Sequence, residues 1–376
     1  MRIAIVLGAF FPVPPVMGGA VEKAWLALAE EFAARGHQVT MVSRRFDSFP
    51  NGETVRGVQH RRVPGFSAPR SLLWLKFLDL IYSFRASAAL PEADVLITNT
   101  FWLPLFVRNR GRGFLYVHVA RFPKGQLRFY KRAAQLQAPS EAIAREIRRQ
   151  APGLADRVRV IPYPVPTVAK DRLRPMSQRP TRFLYVGRIH PEKGIHLLVQ
   201  CFAERARTDF AEWELMITGP ANTEGGGAGG EYLERLRGLG APAGDRVIFS
   251  GPIFDQTRLS EAMQNARIFV YPSLAETGES FGLAPLEAMA NGCAAVVSAL
   301  ECFEEFVHDG STGYTFDHRA HDPVKALADR LKAAIADETK LAGIAQAGYE
   351  KSQEYSSPRV ADQFLKDFES ILERTS

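Results

Sequence analysis

Cysteine is scarce in this sequence: Cys201, Cys293 and Cys302 are the only three in 376 residues, and none stands in a CxxC pair. An odd number of scattered thiols excludes a disulfide framework and fits reduced packing residues of a cytoplasmic protein. Long apolar runs are missing as well. The most apolar segment, 71–90, is interrupted by Lys76, Asp79 and Arg85, so it cannot cross a bilayer without burying charge. The opening, MRIAIVLGAFFPVPP, has one basic residue and no small-residue cleavage pattern, and reads as a first strand, not an export signal. The glycine tract GGGAGG at 225–230 lacks a following Lys-Ser or Lys-Thr, which excludes a triphosphatase phosphate loop and leaves a flexible surface loop. No Asp-x-Asp motif stands in a suitable place, so no metal site is expected.

Acids are few in the first part of the chain. Residues 1–165 hold 11 Asp and Glu against 24 Lys and Arg, a balance of +13, whereas residues 166–376 hold 30 against 23, a balance of −7. Such a basic field suits an anionic partner: an acidic lipid surface, a phosphate-bearing acceptor or nucleic acid; a solvated face with no partner explains it equally. No nucleic-acid motif accompanies the charge, so nucleic acid is not expected. An anionic acceptor or the inner face of a membrane, touched by 71–90, is preferred.

What is present is a repeated supersecondary pattern. RIAIVLG at the start and RFLYVGR at 182–188 are apolar runs ending at glycine, each followed by a loop, an amphipathic run (21–35 and 194–206) and a second strand, QVTMVS or WELMITG. Alternation of this kind builds doubly wound parallel sheets. Further buried strands are expected at 95–98, 114–118, 247–250, 268–271 and 294–298, on both sides of a proline-rich stretch, 161–180, that reads as a linker. The expected organisation is therefore α/β, with two Rossmann-like domains, 1–165 and 166–357, facing across a cleft, and ligands at the carboxyl ends of the strands. The run 360–372 reads as a terminal helix, able to pack on either lobe.

The chemistry concentrates in ETGESFGLAPLEAMANG, 276–292. Leu283 to Ala290 reads as a helix with Pro285 in its first turn and Gly292 after its end. Ser280, Phe281 and Gly282 lead into it, so backbone N–H groups are offered at a helix N-terminus, a site suited to a diphosphate. Glu279 is placed in the loop ahead of the helix and Glu287 one to two turns inside it, where the carboxylates can reach different hydroxyl groups of one elongated ligand. Arg188 follows a buried strand and Lys193 opens the next helix; both can neutralise a diphosphate without a metal ion, or be solvated strand-end cations. As a diphosphate-binding cation, Lys193 is expected to be replaceable by Ala with little change in folding but with collapse of activity. Gly18 and Gly19 interrupt the first loop, for a ligand's close approach or for a tight turn. His118 ends its strand, facing the cleft or satisfied within the core.

Together GGA in the first loop, His118, VGRIHPEKG and ESFGLAPLEAMA resemble the family-four retaining glycosyltransferases, which include sucrose synthases and many bacterial polysaccharide enzymes. The resemblance implies the GT-B fold, a terminal helix (358–376) that crosses back to the first domain, donor binding mainly by the second, and an acceptor that is a glycan, a lipid-linked or a small molecule. It implies no cofactor beyond the nucleotide-sugar donor itself. By the same resemblance Arg188 and Lys193 bind the donor diphosphate, Glu279 holds hydroxyls of the transferred sugar, and Glu287 the ribose. Backbone at Ser280, Phe281, Gly282 and Leu283 cradles sugar and phosphate, Gly18 and Gly19 approach the diphosphate, and His118 lies near the donor sugar. The sequence departs from the family where Val119 follows His118 in place of Asp, and where Pro162, Tyr163 and Pro164 replace Pro-Asn-Gly. Two other readings share the architecture: a sugar-nucleotide 2-epimerase, which lacks the Glu279 to Glu287 pattern, and a non-catalytic carbohydrate- or nucleotide-sugar-binding protein.

Overall fold

The computed structural model describes residues 1–374 apart from 48, 70, 108 and 109. The chain forms two compact units, one of Met1–Pro164 with the terminal helix from Ser357, the other Val165–Ser356. The first contains β1 (Arg2–Val6), α1 (Ala20–Ala34), β2 (Gln38–Arg44), β3 (Gly52–Val55), β4 (Val58–Val63), α2 (Leu72–Ala89), β5 (Val95–Thr98), α3 (Leu103–Phe106), β6 (Phe114–His118), β7 (Gln135–Ala138), α4 (Glu141–Gln150) and β8 (Val158–Val160). The second contains β9 (Arg182–Val186), α5 (Ile195–Arg205), β10 (Glu214–Thr218), α6 (Gly230–Gly240), β11 (Val247–Gly251), α7 (Gln256–Gln264), β12 (Ile268–Tyr271), α8 (Leu283–Ala290), β13 (Ala294–Ser298), β14 (Tyr314–Phe316), α9 (Pro323–Ile335) and α10 (Glu338–Ser352). The terminal helix is α11 (Ser357–Glu373); residues 375 and 376 of the expected helix lie outside those described.

The first sheet runs β3-β4-β2-β1-β5-β6-β7-β8, parallel except for the antiparallel β3 at its edge. The second runs β11-β10-β9-β12-β13-β14, all parallel. In each, the order reverses beside the first strand, and in open α/β sheets that switch point is where ligands bind, at the carboxyl ends. Strands such as VLIT and AAVVS are buried along their whole length because helices cover both faces of a parallel sheet.

Five strands carry no local signal strong enough to read from sequence: β3, β4, β7, β8 and β14. β4 buries His60 and Arg62, and β7 buries Gln135 and Gln137. Two of these positions are satisfied by groups remote in the chain: Arg62 donates to the carbonyls of Val13 and Pro50 and pairs with Glu53 at 2.6 Å, and Gln137 Nε2 donates to Ile161 O at 2.5 Å. Within the first unit α11 lies along α1, where Phe364 and Phe368 meet Trp25, Phe32 and Tyr116, and the Tyr116 hydroxyl donates to Asp367 at 2.8 Å. Entry to and exit from the second unit are neighbours: Val165 pairs with Ser356, and its amide donates to Tyr355 O at 2.9 Å. All three cysteines are buried and unpaired. Among the described residues no helix is long and apolar enough to cross a membrane.

Candidate functional site

The carboxyl ends of β9, β10 and β12 assemble most of the singled-out residues of the second unit. Gly194 precedes α5 with φ 64°, and a Cβ there would lie 1.9 Å from Pro272 O. That close approach sets Lys193, at the end of the turn Pro191–Lys193, against the loop after β12. The Lys193 ammonium is 2.6 Å from Glu279 Oε2, which also accepts from Ser273 Oγ at 3.1 Å, and it stands 5.6 Å from the centre of the Tyr271 ring. Lys193 and Glu279 side chains are 6% and 11% exposed, so the pair is buried. This differs from a solvated strand-end cation: an ammonium removed from water is retained only with a partner charge. Burial, then the negative charge of Glu279, pushes the phenols of Tyr185 and Tyr271 well up, and does the same to the Cys302 thiol.

Arg188 remains half-exposed and is held from two sides. Its guanidinium pairs with Glu192 at 2.7 Å and donates to Gly226 O at 3.0 Å. The glycine tract is therefore not a loose surface loop. Gly225, Gly226, Gly227, Ala228 and Gly229 donate backbone bonds to Asn222, Thr223, Asn222, Ile189 and Ala221, and the loop closes over Arg188. Glu192 O in turn accepts from Leu274 N at 2.8 Å, which ties the Arg188 side of the site to the loop that carries Glu279.

That loop runs directly into α8. Gly282 is its N-cap with φ 86°, and the amides of the first turn have no carbonyl behind them within the helix. The Phe281 ring is buried against Phe306 and Tyr355, so it is the backbone around Phe281, Gly282 and Leu283 that borders the site. Glu287 is buried on α8, five residues into the helix. On the far side of the loop Glu276 accepts from His318 Nε2 at 2.8 Å and Arg319 at 2.7 Å. Sequence patterns pointed to none of Ser273, Tyr271, Glu192, Glu276 or His318; the partners of Tyr271, Glu276 and His318 are remote in the chain.

The remaining candidates belong to the first unit, at the carboxyl ends of β1 and β6. Gly18 and Gly19 have φ of 81° and 114° and lead into α1. The Glu22 side chain folds back over Gly19 and is buried, and that burial raises its carboxyl to about 7 despite Arg121 nearby. His118 is enclosed: Nδ1 meets Gln137 Oε1, Nε2 meets the Tyr163 hydroxyl at 2.9 Å, and Trp25 packs edge-on. Burial lowers its pKa to about 4, so the ring is neutral at pH 7. Both ring nitrogens of His118 thus have partners within the first unit, the arrangement expected of a satisfied core histidine. An open depression of about 390 Å³ lined by Arg2, Gln38, Thr40, Gln59 and Arg61 lies at the amino ends of β1 and β2, away from all these residues.

Both units match family models, glycosyl transferases group 1 over residues 171–351 and glycosyltransferase family 4 over residues 17–168. The chain belongs to the group 1 glycosyltransferases. This family member is 33% identical over 181 residues to a lipopolysaccharide 1,2-N-acetylglucosaminetransferase of Salmonella typhimurium, covering 46% of each chain. It is 28% identical over 190 residues to a phosphatidyl-myo-inositol mannosyltransferase of Mycobacterium tuberculosis, covering 50% of this chain and 47% of that protein. The matched part spans about half the length of these curated relatives. A sucrose-phosphate synthase from Thermosynechococcus elongatus superposes with TM-score 0.80 at 21% identity over 100% of both chains. Anabaena HepE in complex with UDP and glucose superposes with TM-score 0.71 at 19% identity, over 98% of this chain and 100% of that one. At such identities the likeness concerns the fold, and the fold of this glycosyltransferase family member is GT-B.

Proposed function

We propose that the protein is a glycosyltransferase that takes a sugar from a nucleotide-diphosphate donor with retention of anomeric configuration and without a metal ion, the second unit holding the donor. The observation that carries this reading is the buried Lys193–Glu279 pair beside the N-terminus of α8, with Arg188 held at the same strand ends. Two cations and the amides of Leu283 and Ala284 at the start of α8 suit a departing diphosphate, and a buried carboxylate suits sugar hydroxyls. Glu287 on α8 suits the ribose, and the backbone from Ser280 to Leu283 suits the sugar and phosphate.

In this reaction the acceptor oxygen attacks the anomeric carbon on the face from which the diphosphate leaves. The carbon–oxygen bond to the diphosphate breaks, and the acceptor proton passes to the leaving phosphate oxygen. Arg188 and Lys193 stabilise the charge that develops there, which supplies most of the catalysis. For the first unit, family resemblance assigns Gly18 and Gly19 to the diphosphate and His118 to the sugar; His118 reaches a ligand only by exchanging the Tyr163 hydroxyl. The names of the matched relatives favour a glycan or lipid-linked acceptor, and the UDP and glucose of the Anabaena structure make a uridine diphosphate sugar the first donor to try.

The test is a panel of nucleotide sugars screened by thermal shift, followed by product analysis with glycan and lipid-linked acceptors. A donor that raises Tm and yields an α-linked product from an α-linked donor supports the proposal. Epimerised nucleotide sugar, or binding with neither transfer nor hydrolysis for any donor and acceptor, overturns it.

A further inference from the structure

Five of the nine large hydrophobic side chains exposed among the described residues lie on one helix: Leu72, Leu73, Trp74, Phe77 and Phe84 of α2. Leu73, Phe77 and Phe84 are spaced four and seven apart and therefore share a face, and Trp74 packs edge-on against Phe77 at 5.6 Å. Soluble surfaces seldom concentrate aromatic residues in this way. The charges on α2 are arranged to match. Lys76 and Arg85 are exposed, whereas its one acid, Asp79, is buried and accepts the amides of Phe101 and Trp102 at 3.1 and 3.3 Å. The outer face thus presents cations and rings but no carboxylate.

A second element continues the same chemistry. Between Asp94 and Glu141 the sequence contains no acid at all. The connection from β6 to β7 exposes Arg121, Lys124, Arg128, Phe129, Lys131 and Arg132. It joins α2 through a short chain of contacts: the Tyr130 hydroxyl donates to Phe101 O at 2.7 Å, the Lys76 ammonium lies 5.0 Å from the Phe101 ring, and Trp102 Nε1 donates to Lys76 O at 2.8 Å.

We infer that α2 and the 121–132 connection form one docking surface for an anionic lipid bilayer, with Leu73, Trp74 and Phe77 entering the headgroup boundary and Arg128, Lys131 and Arg132 against lipid phosphates. An apolar helical face bounded by cations binds such an interface through both terms together. The surface stands on its own residues and does not depend on which sugar, if any, is transferred.

The experiment uses the full chain without donor, in flotation assays with phosphatidylcholine vesicles that contain or lack phosphatidylglycerol, at low and high salt. Wild type is expected to float with the anionic vesicles and to be released by salt. Trp74→Ala/Phe77→Ala should reduce partitioning roughly tenfold or more, and Arg128→Gln/Lys131→Gln/Arg132→Gln on the order of a hundredfold. All five side chains are exposed, so the melting curve of each variant should match wild type. Quenching of tryptophan fluorescence by brominated lipid should fall in Trp74→Phe to what the half-buried Trp102 contributes, since Trp25 and Trp213 are buried. No flotation of wild type, or equal flotation of wild type and both variants, overturns the inference. So does a change in molar mass confined to Trp74→Ala/Phe77→Ala, which would make α2 a contact between copies, or a preference for RNA over vesicles.

Discussion

A Cβ placed on Gly282 would lie 2.3 Å from Cε1 of Phe303. The residue also has φ 86°, so two separate constraints require glycine where the loop turns into α8. Gly282→Ala must shift a buried ring as well as strain the backbone, at a cost of about 2–4 kcal/mol. We expect Tm to fall by roughly 5–10 °C, and donor binding to weaken further because the helix amides are displaced. Unchanged melting would show that Phe303 is free to move aside.

Because the Lys193 ammonium and Glu279 carboxylate are buried together, removing one leaves the other uncompensated. Lys193→Ala should lose about 3–5 kcal/mol of stability and slow transfer by on the order of a hundredfold or more. Lys193→Ala/Glu279→Gln removes both charges and should regain most of the stability while remaining inactive. Denaturant titration beside initial rates separates the two effects; recovery of turnover in the double variant would remove Lys193 from the leaving-group role.

Stability at the first unit's strand ends should depend on pH through Glu22. Burial raises its carboxyl from 4.5 to about 7, so the folded chain holds that proton more tightly than the unfolded chain. The associated stability is complete below pH 4.5 and is lost as pH rises through about 7, to a total of about 3 kcal/mol. Glu22→Gln cannot ionise. Its Tm relative to wild type should therefore climb between pH 4.5 and 8 and level off below 4.5.

His118 should act in the opposite sense. Its folded pKa of about 4 lies below the ordinary 6.5, so the unfolded chain binds the proton more tightly, and stability falls as pH drops from 6.5 to 4. His118→Gln should lack this loss, measured as the difference in Tm between the variant and wild type across that window. A flat difference would mean that the ring is not enclosed as described.

The buried strands were legible because RIAIV and RFLYV are continuous apolar runs, each followed closely by glycine, so their own composition marks them as buried whatever covers them. The limits of α8 were legible for a similar reason, since Pro285 and Gly292 act within a turn of where they stand. β7 was not. Its buried Gln137 is satisfied by His118 and Ile161 O, 19 and 24 residues away. The burial of Lys193 depends on Glu279, 86 residues on, and the ordering of the glycine tract on Arg188, 38 residues before it. Charge that is neutralised by a remote partner leaves no local pattern to read.

The pairing of Val165 with Ser356 means that the middle stretch of the gene encodes a closed cassette whose two ends emerge side by side. A piece so arranged can be exchanged between proteins, or excised and sealed, without stretching what flanks it. The first unit's own closure does not run through that stretch, because α1 and α11 are laced together within the first unit itself.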